Sequence, residues 1–259
     1  MTELLANRSG GVLELRINRE DKRNALSSAV LDGLLDGVRT ASTDTSIAAV
    51  LVSSAGERVF SAGADLAVMA DDANGLEKHE ARGRLKDLVV AMRTCPKPVV
   101  ARVQGLCLAG GIGLAAGCDV VLAKESASFG LPEVERGLWP FMVSALLTRH
   151  VSPKHAMDYM LTGERFDAHT AQRIGLVSRV FPDETFDDDV TAYVEKVARA
   201  APVAVRLGKA AWVTAEETPG LPAALEAMQA QLSLLTTTAD VAEGVAAFFE
   251  KRDPRWTGR

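Results

Sequence analysis

PVVARVQGLCLAGGIGLAAGCDVVLAKE (residues 98–125) carries the reading of the fold. Pro98 opens PVVARVQG, an apolar, β-branched run of strand length. An apolar turn follows, and small residues from Gly110 to Cys118 predict a short helix. DVVLAKE (119–125) is a strand again. Strand, turn, helix and strand in close succession are the unit of an α/β core.

The same alternation extends toward the N-terminus. GVLELRINR (11–19) has apolar residues at every second position, as a half-buried strand does. Ser27 to Val38 has helical spacing, with Leu31, Leu34, Leu35 and Val38 on one face. IAAVLVSS (47–54) is a β-rich run, and Gly75 to Thr94 reads as a long charged helix. After Pro140 the character changes. Helical periodicity covers Pro153–Leu161, Ala168–Ile174, Asp187–Ala201, Pro202–Ala215, Pro222–Leu235 and Ala239–Lys251. LVSRVF (176–181) is one intervening strand. The boundary falls near residue 200: an α/β core over 1–200, then a helical region over 201–259.

Bulk properties limit the function classes. A chain of 259 residues forms one large domain, or one domain with a helical appendage. Hydrophobic residues at 47% and charged residues at 24% argue against disorder. Lys and Arg number 29 against 34 Asp and Glu, a net charge of −5, with no basic block for nucleic acid. Cys95, Cys107 and Cys118 sit in apolar surroundings with no C-x-x-C spacing, so buried free thiols in a reducing compartment are expected. A metal site is not expected, since none of the four histidines lies near a cysteine. The N-terminus lacks an apolar targeting segment, and the longest apolar run, Leu106 to Cys118, is too short to span a bilayer. A cytoplasmic protein with no membrane partner is expected.

QGLCLAGGIGLAAGCD (104–119) admits three readings. Gly111 to Ala116 fits the dinucleotide pattern G-x-G-x-x-A, but the strand ends near Val103, too far away for the tight turn that pattern needs. The second reading is glycines that serve only close helix–strand packing. The third reading is an oxyanion hole: the first N–H groups of a helix have no internal partner and suit developing negative charge. A second segment, ERVFSAGADLAVM (57–69), also follows a buried strand, and its small residues let backbone N–H groups face a ligand. Two such loops can place two donors on one carbonyl oxygen.

Five stretches, in this order, resemble the enoyl-CoA hydratase/isomerase (crotonase) family. They are INREDKRNALS (17–27), FSAGADL (60–66), LAGGIGLAAGCDV (108–120), FGLPEVERGLWP (129–140) and EGVAAFFEKR (243–252). The resemblance implies an α/β spiral of β-β-α units with a C-terminal helical trimerisation region, assembled as a homotrimer or hexamer. It implies an acyl-CoA substrate and no cofactor beyond the CoA of that substrate. The N–H groups of Ala64 and Gly110 would form the oxyanion hole. Lys22, Arg23, Ala62 and Leu66 would lie along the CoA. Phe248 and Lys251 would reach its adenine or phosphates, within their own or a neighbouring subunit. Each of these has a plainer alternative: core packing for Phe248, solvated loop charges for Lys22 and Arg23.

The chain departs from the family pattern at one catalytic position. Hydratases of the family use two glutamates to hold and activate one water. The second matches Glu133, after Phe129 and Pro132; the first would sit three residues after Gly110, where this chain has Gly113. A missing general acid/base costs about 10²–10⁴ in rate. Double-bond isomerisation with Glu133 as sole acid/base is therefore the favoured expectation. A hydratase recruiting Asp65, Asp71, Glu135 or His150, and a non-catalytic acyl-CoA-binding protein, stay open. Asp65 and Asp119 read as structural. Trp139-Pro140-Phe141-Met142-Val143 replaces a glycine-rich stretch. Trp139 and Phe141 line the acyl pocket or belong to the core, and the resemblance implies that Gly113 is also among the substrate-binding residues. A glutamate at 113 would be expected to add hydration if the pocket keeps hydratase geometry, with a clash against Trp139 or Phe141 as the alternative.

Overall fold

Alternation builds the first sheet. In β2 (Val12–Ile17), Leu13, Leu15 and Ile17 are buried while Val12, Glu14 and Arg16 are half-buried. The computed structural model describes residues 2–65 and 75–259, so Leu66 and Asp71 lie outside the described residues. β1 (Leu4–Ser9) pairs antiparallel with β2. β3 (Ala49–Ser54), β5 (Val99–Val103), β7 (Val120–Lys124) and β10 (Arg179–Phe181) then join in parallel, giving the order β1-β2-β3-β5-β7-β10. The inner strands are covered on both faces, which is why they read as continuous apolar runs. Val50, Val52, Val99, Ala101 and Val103 face the main core. Ala49, Val100 and Leu122 face the other way, onto Phe186, Val190 and Val194 of α7 (Phe186–Ala198).

Each inner strand leads into a short strand of a second sheet. β4 (Val59–Ser61) follows β3, β6 (Leu106–Leu108) follows β5, and β8 (Ser128–Gly130) follows β7. These three run parallel, with β9 (Arg165–Asp167) antiparallel at the edge. A helix follows each pair: α2 (Gly75–Thr94), α3 (Gly110–Ala116) and α4 (Phe141–His150), the last preceded by a 3₁₀ turn at Pro132–Arg136. The stacked β-β-α plan expected from the sequence is therefore present.

α1 (Ser28–Thr43) starts as expected, with the Ser27 hydroxyl accepting from the Val30 N–H. It runs one turn beyond Val38 because Ala41 continues the buried face. The stretch 106–108, expected to be a turn, is strand β6. The other helices fall close to their expected bounds: α5 (Pro153–Thr162), α6 (Ala168–Arg173), α8 (Pro202–Glu217), α9 (Leu221–Leu235) and α10 (Ala239–Glu250). α8 is tied to the core by Lys209, whose ammonium donates to the Met92 and Lys97 carbonyls and to Asp119 at 2.6 Å. Asp119 also accepts from the Val99 N–H at 2.7 Å. It is a structural bracket, as the sequence suggested. Among the described residues no single helix is long and apolar enough to cross a membrane.

Candidate active site

The carboxyl ends of parallel strands are where open α/β sheets gather ligands, and β4, β6 and β8 all end on one edge. Adjacent strands in a sheet lie about 4.8 Å apart. The loop after β4 carries Ala64, the loop after β6 carries Gly110, and the turn after β8 carries Glu133. Parallel pairing puts the segments that carry these three sequence-distant candidates after the same ends of adjacent strands.

The two backbone donors lie close together. A Cβ built on Gly110 would lie 3.4 Å from the Ala64 N, and one built on Gly63 would lie 3.1 Å from the Gly110 N. Among the described residues no acceptor stands against either N–H. Gly63 has φ +93° and a Cβ there would strike the Ala109 methyl at 2.7 Å, so only glycine allows this approach. Ala109 itself adopts φ 52°, ψ −126°. That conformation is unfavourable for alanine by about 1–3 kcal/mol. Ala109 is held there by its N–H, which donates to the Gly130 carbonyl at 3.0 Å. The strain turns the Gly110 N–H out of the strand line.

The segment before α1 braces the first donor. The Leu26 N–H donates to the Gly63 carbonyl at 2.8 Å, the Asp65 N–H to the Leu26 carbonyl at 3.2 Å, and the Ala62 N–H to the Arg23 carbonyl at 3.0 Å. Lys22 and Arg23 are exposed beside it, and Ala62 is half-buried. Arg23 and Asn24 both have positive φ, 52° and 51°. The Asn24 side chain is fully buried and holds this bend, accepting from the Arg19 N–H and donating to the Ala55 and Val59 carbonyls. Arg19 also pairs with Asp65 at 2.9 Å, so Asp65 anchors the donor loop.

Glu133 sits in the first turn of the 3₁₀ segment and is half-buried. Its Oε2 is buried with no hydrogen-bond partner among the described residues. Burial pushes its carboxyl above the ordinary glutamate range, against weaker pulls from its own backbone N–H and from Arg136. A carboxylate with an unoccupied, desolvated oxygen is poised to take a proton. The other candidate acids are differently placed. Glu135 is exposed and lies against Gly163. His150 ends α4 among Arg93, Arg149 and Glu216. The thiols of Cys107 and Cys118 are buried and pushed far up, so they offer no nucleophile.

Gly113 lies one turn along α3 from Gly110 and is buried. A Cβ there would meet Val143 Cγ2 at 3.1 Å and Leu85 Cδ2 at 3.6 Å. The side chains nearest that Cβ are thus Val143 and Leu85. The stretch after Pro140 divides accordingly. Trp139 and Val143 pack into the core, while Phe141 is 77% exposed. Phe248, 78% exposed, stands apart from the cluster in the single chain. It lines a groove of about 520 Å³ with Ala204, Leu235, Val241 and Trp256. Lys251 is exposed and ends α10 with φ 55°.

Relatives carry the same architecture. The family model described as enoyl-CoA hydratase/isomerase matches residues 7–259. The 2,3-dehydroadipyl-CoA hydratase of Escherichia coli is 38% identical over 260 residues, covering 100% of both chains. The rat enoyl-CoA hydratase domain-containing protein 3, mitochondrial, is 33% identical over 95% of this chain and 82% of its own. Among solved structures, an enoyl-CoA hydratase of Mycobacterium smegmatis superposes with a TM-score of 0.92 at 32% identity, covering 99% of each chain. One from Bacillus anthracis gives 0.93 at 30%, over 99% of this chain and 100% of that one. The chain belongs to the enoyl-CoA hydratase/isomerase family of enzymes.

Proposed function

We propose that this enzyme moves the double bond of an unsaturated acyl-CoA, with Glu133 as the only acid/base. The observation that carries this reading is one desolvated carboxylate, with an unpartnered oxygen, on the strand edge that presents two free N–H donors. Starting from a 3-enoyl-CoA, Glu133 takes a proton from C2. The C–H electron pair moves into the thioester, and the oxygen of the resulting dienolate accepts from the Ala64 and Gly110 N–H groups. The protonated Glu133 then returns the proton to C4, giving the conjugated 2-enoyl-CoA. No water is consumed, so a second carboxylate is unnecessary. Lys22, Arg23 and Ala62 lie along the CoA in this reading.

The hydratase names of the relatives favour a second reading, in which the chain adds water to a 2-enoyl-CoA with a different second group. One assay separates the two. Purified protein given a 3-enoyl-CoA should gain conjugated-thioester absorbance, while a 2-enoyl-CoA should lose little by hydration. Rapid hydration would replace the isomerase reading. Tight acyl-CoA binding without turnover of either substrate would make the protein a binder.

The pH dependence follows from the sign of the Glu133 shift. Burial favours the neutral carboxyl, and the base must be ionised. Activity should therefore fall on the acid side with a midpoint above the ordinary glutamate value of about 4.3. A kcat/KM profile whose acid limb lies at or below that value would count against Glu133 as the base.

The C-terminal helices serve assembly in this reading. Val245, Phe248 and Phe249 of α10 leave more than half of their surface exposed, a large apolar face for one chain. Light scattering at micromolar concentration should give a trimer or hexamer, with Phe248 and Lys251 meeting the CoA of a neighbouring subunit. A monomer would refute this arrangement.

A further inference from the structure

The wall beside the oxyanion hole is apolar, and it is contributed by elements far apart in sequence. Gly113 presents its Cα face to Val143 of α4 and Leu85 of α2. Both are buried, at 4% and 6% exposure. The first atom of any side chain at 113 would already be 3.1 Å from Val143 Cγ2, tighter than ordinary van der Waals contact. A glutamate would need room for four further heavy atoms. The three atoms nearest that point are all carbons: Val143 Cγ2, Leu85 Cδ2 and Val143 Cβ. A water at that point would meet carbon atoms first, whereas a buried water is held by two to four polar partners.

We propose that Val143, backed by Leu85, is the residue that decides between proton transfer and hydration in this enzyme. It fills the volume in which a second carboxylate and its water would stand. The proton abstracted by Glu133 is thereby kept from exchanging with solvent before it is returned. The absence of a carboxylate at 113 is then only half of the specificity device; the filled wall is the other half. The proposal rests on the reading of Glu133 as the base.

The test compares Gly113→Glu, Val143→Ala and the double variant. Gly113→Glu alone should not hydrate 2-enoyl-CoA faster than wild type, because its carboxylate has no room. Gly113→Glu/Val143→Ala should hydrate about tenfold or more faster than Gly113→Glu, a part of the 10²–10⁴ that a general acid/base supplies. Equal hydration by the single and double variants, or none by a folded double variant, would overturn the proposal. Melting curves and acyl-CoA binding report folding. Val143→Ala alone provides a second measurement that does not depend on accommodating glutamate. Product formed from 3-enoyl-CoA in D₂O should carry a severalfold higher deuterium fraction at C4 than wild-type product, counted per turnover and so independent of rate. An unchanged fraction would also overturn it. Failure of the underlying reading looks different: wild type would then hydrate rapidly, or would not transfer the proton at all.

Discussion

Glu133→Gln should lower isomerase turnover by about 10²–10⁴, with binding of a saturated acyl-CoA near wild type. Glutamine preserves the shape and removes the proton acceptor. Because Oε2 has no hydrogen-bond partner to lose, the substitution should cost little stability. The position is also close to the protein surface, in a 3₁₀ turn rather than in the core. The measurement is kcat and KM with 3-enoyl-CoA, alongside a binding isotherm for the saturated analogue. A folded Glu133→Gln enzyme with full turnover would remove Glu133 from the mechanism. Asp65 is paired with Arg19, and Glu135 faces away toward Gly163.

Gly110→Pro should reduce turnover by roughly 10²–10³, the usual effect of losing one oxyanion donor. Gly110 is the first residue of α3, a position at which proline needs no helical hydrogen bond. The change therefore deletes the donor while leaving the helix ladder intact. Its local consequence falls on Ala109, whose ψ of −126° lies outside the range proline favours in its predecessor. Gly110→Ala is the companion control. It keeps the N–H but sets a methyl 3.4 Å from the Ala64 N, so its loss should be smaller. If the folded proline variant turns over at the wild-type rate, Gly110 is a packing glycine only.

The elements that were legible in the sequence are those long enough to show a period. α2 was expected at Gly75–Thr94 and spans those residues. The inner strands β3, β5 and β7 were marked by apolar runs because both of their faces are covered. β4, β6 and β8 contain three residues each, fewer than two cycles of alternation, so they passed for loops. β1 escaped for another reason: it is an edge strand whose residues after Leu4 are all exposed, leaving no apolar pattern. At the site, the motif spacing marked Ala64, Gly110 and Glu133. That Val143 and Leu85 lie nearest Gly113 is not legible in the sequence, because local order does not show which face of a helix points inward. Phe141 and Val143 are two positions apart on α4, hence about 200° apart around it. Only packing reveals that the valine turns inward and the phenylalanine outward. Leu85, contributed by another helix, left no local trace near Gly113.

Ala64, Gly110 and Glu133 each sit beyond the end of a strand, in chain segments that the paired strands do not need for their ladders. The ladders themselves use Ser61, Cys107 and Phe129, which are buried. Exchange of a residue in one loop can therefore alter what happens to an enolate without disturbing the frame that creates it. Retention of the donors with loss or gain of an acid is a change of outcome, and the frame is indifferent to it. On such a scaffold, hydration and double-bond migration are neighbouring solutions separated by a few side chains. A glycine and the valine that fills its shadow are a small enough difference to have arisen one substitution at a time.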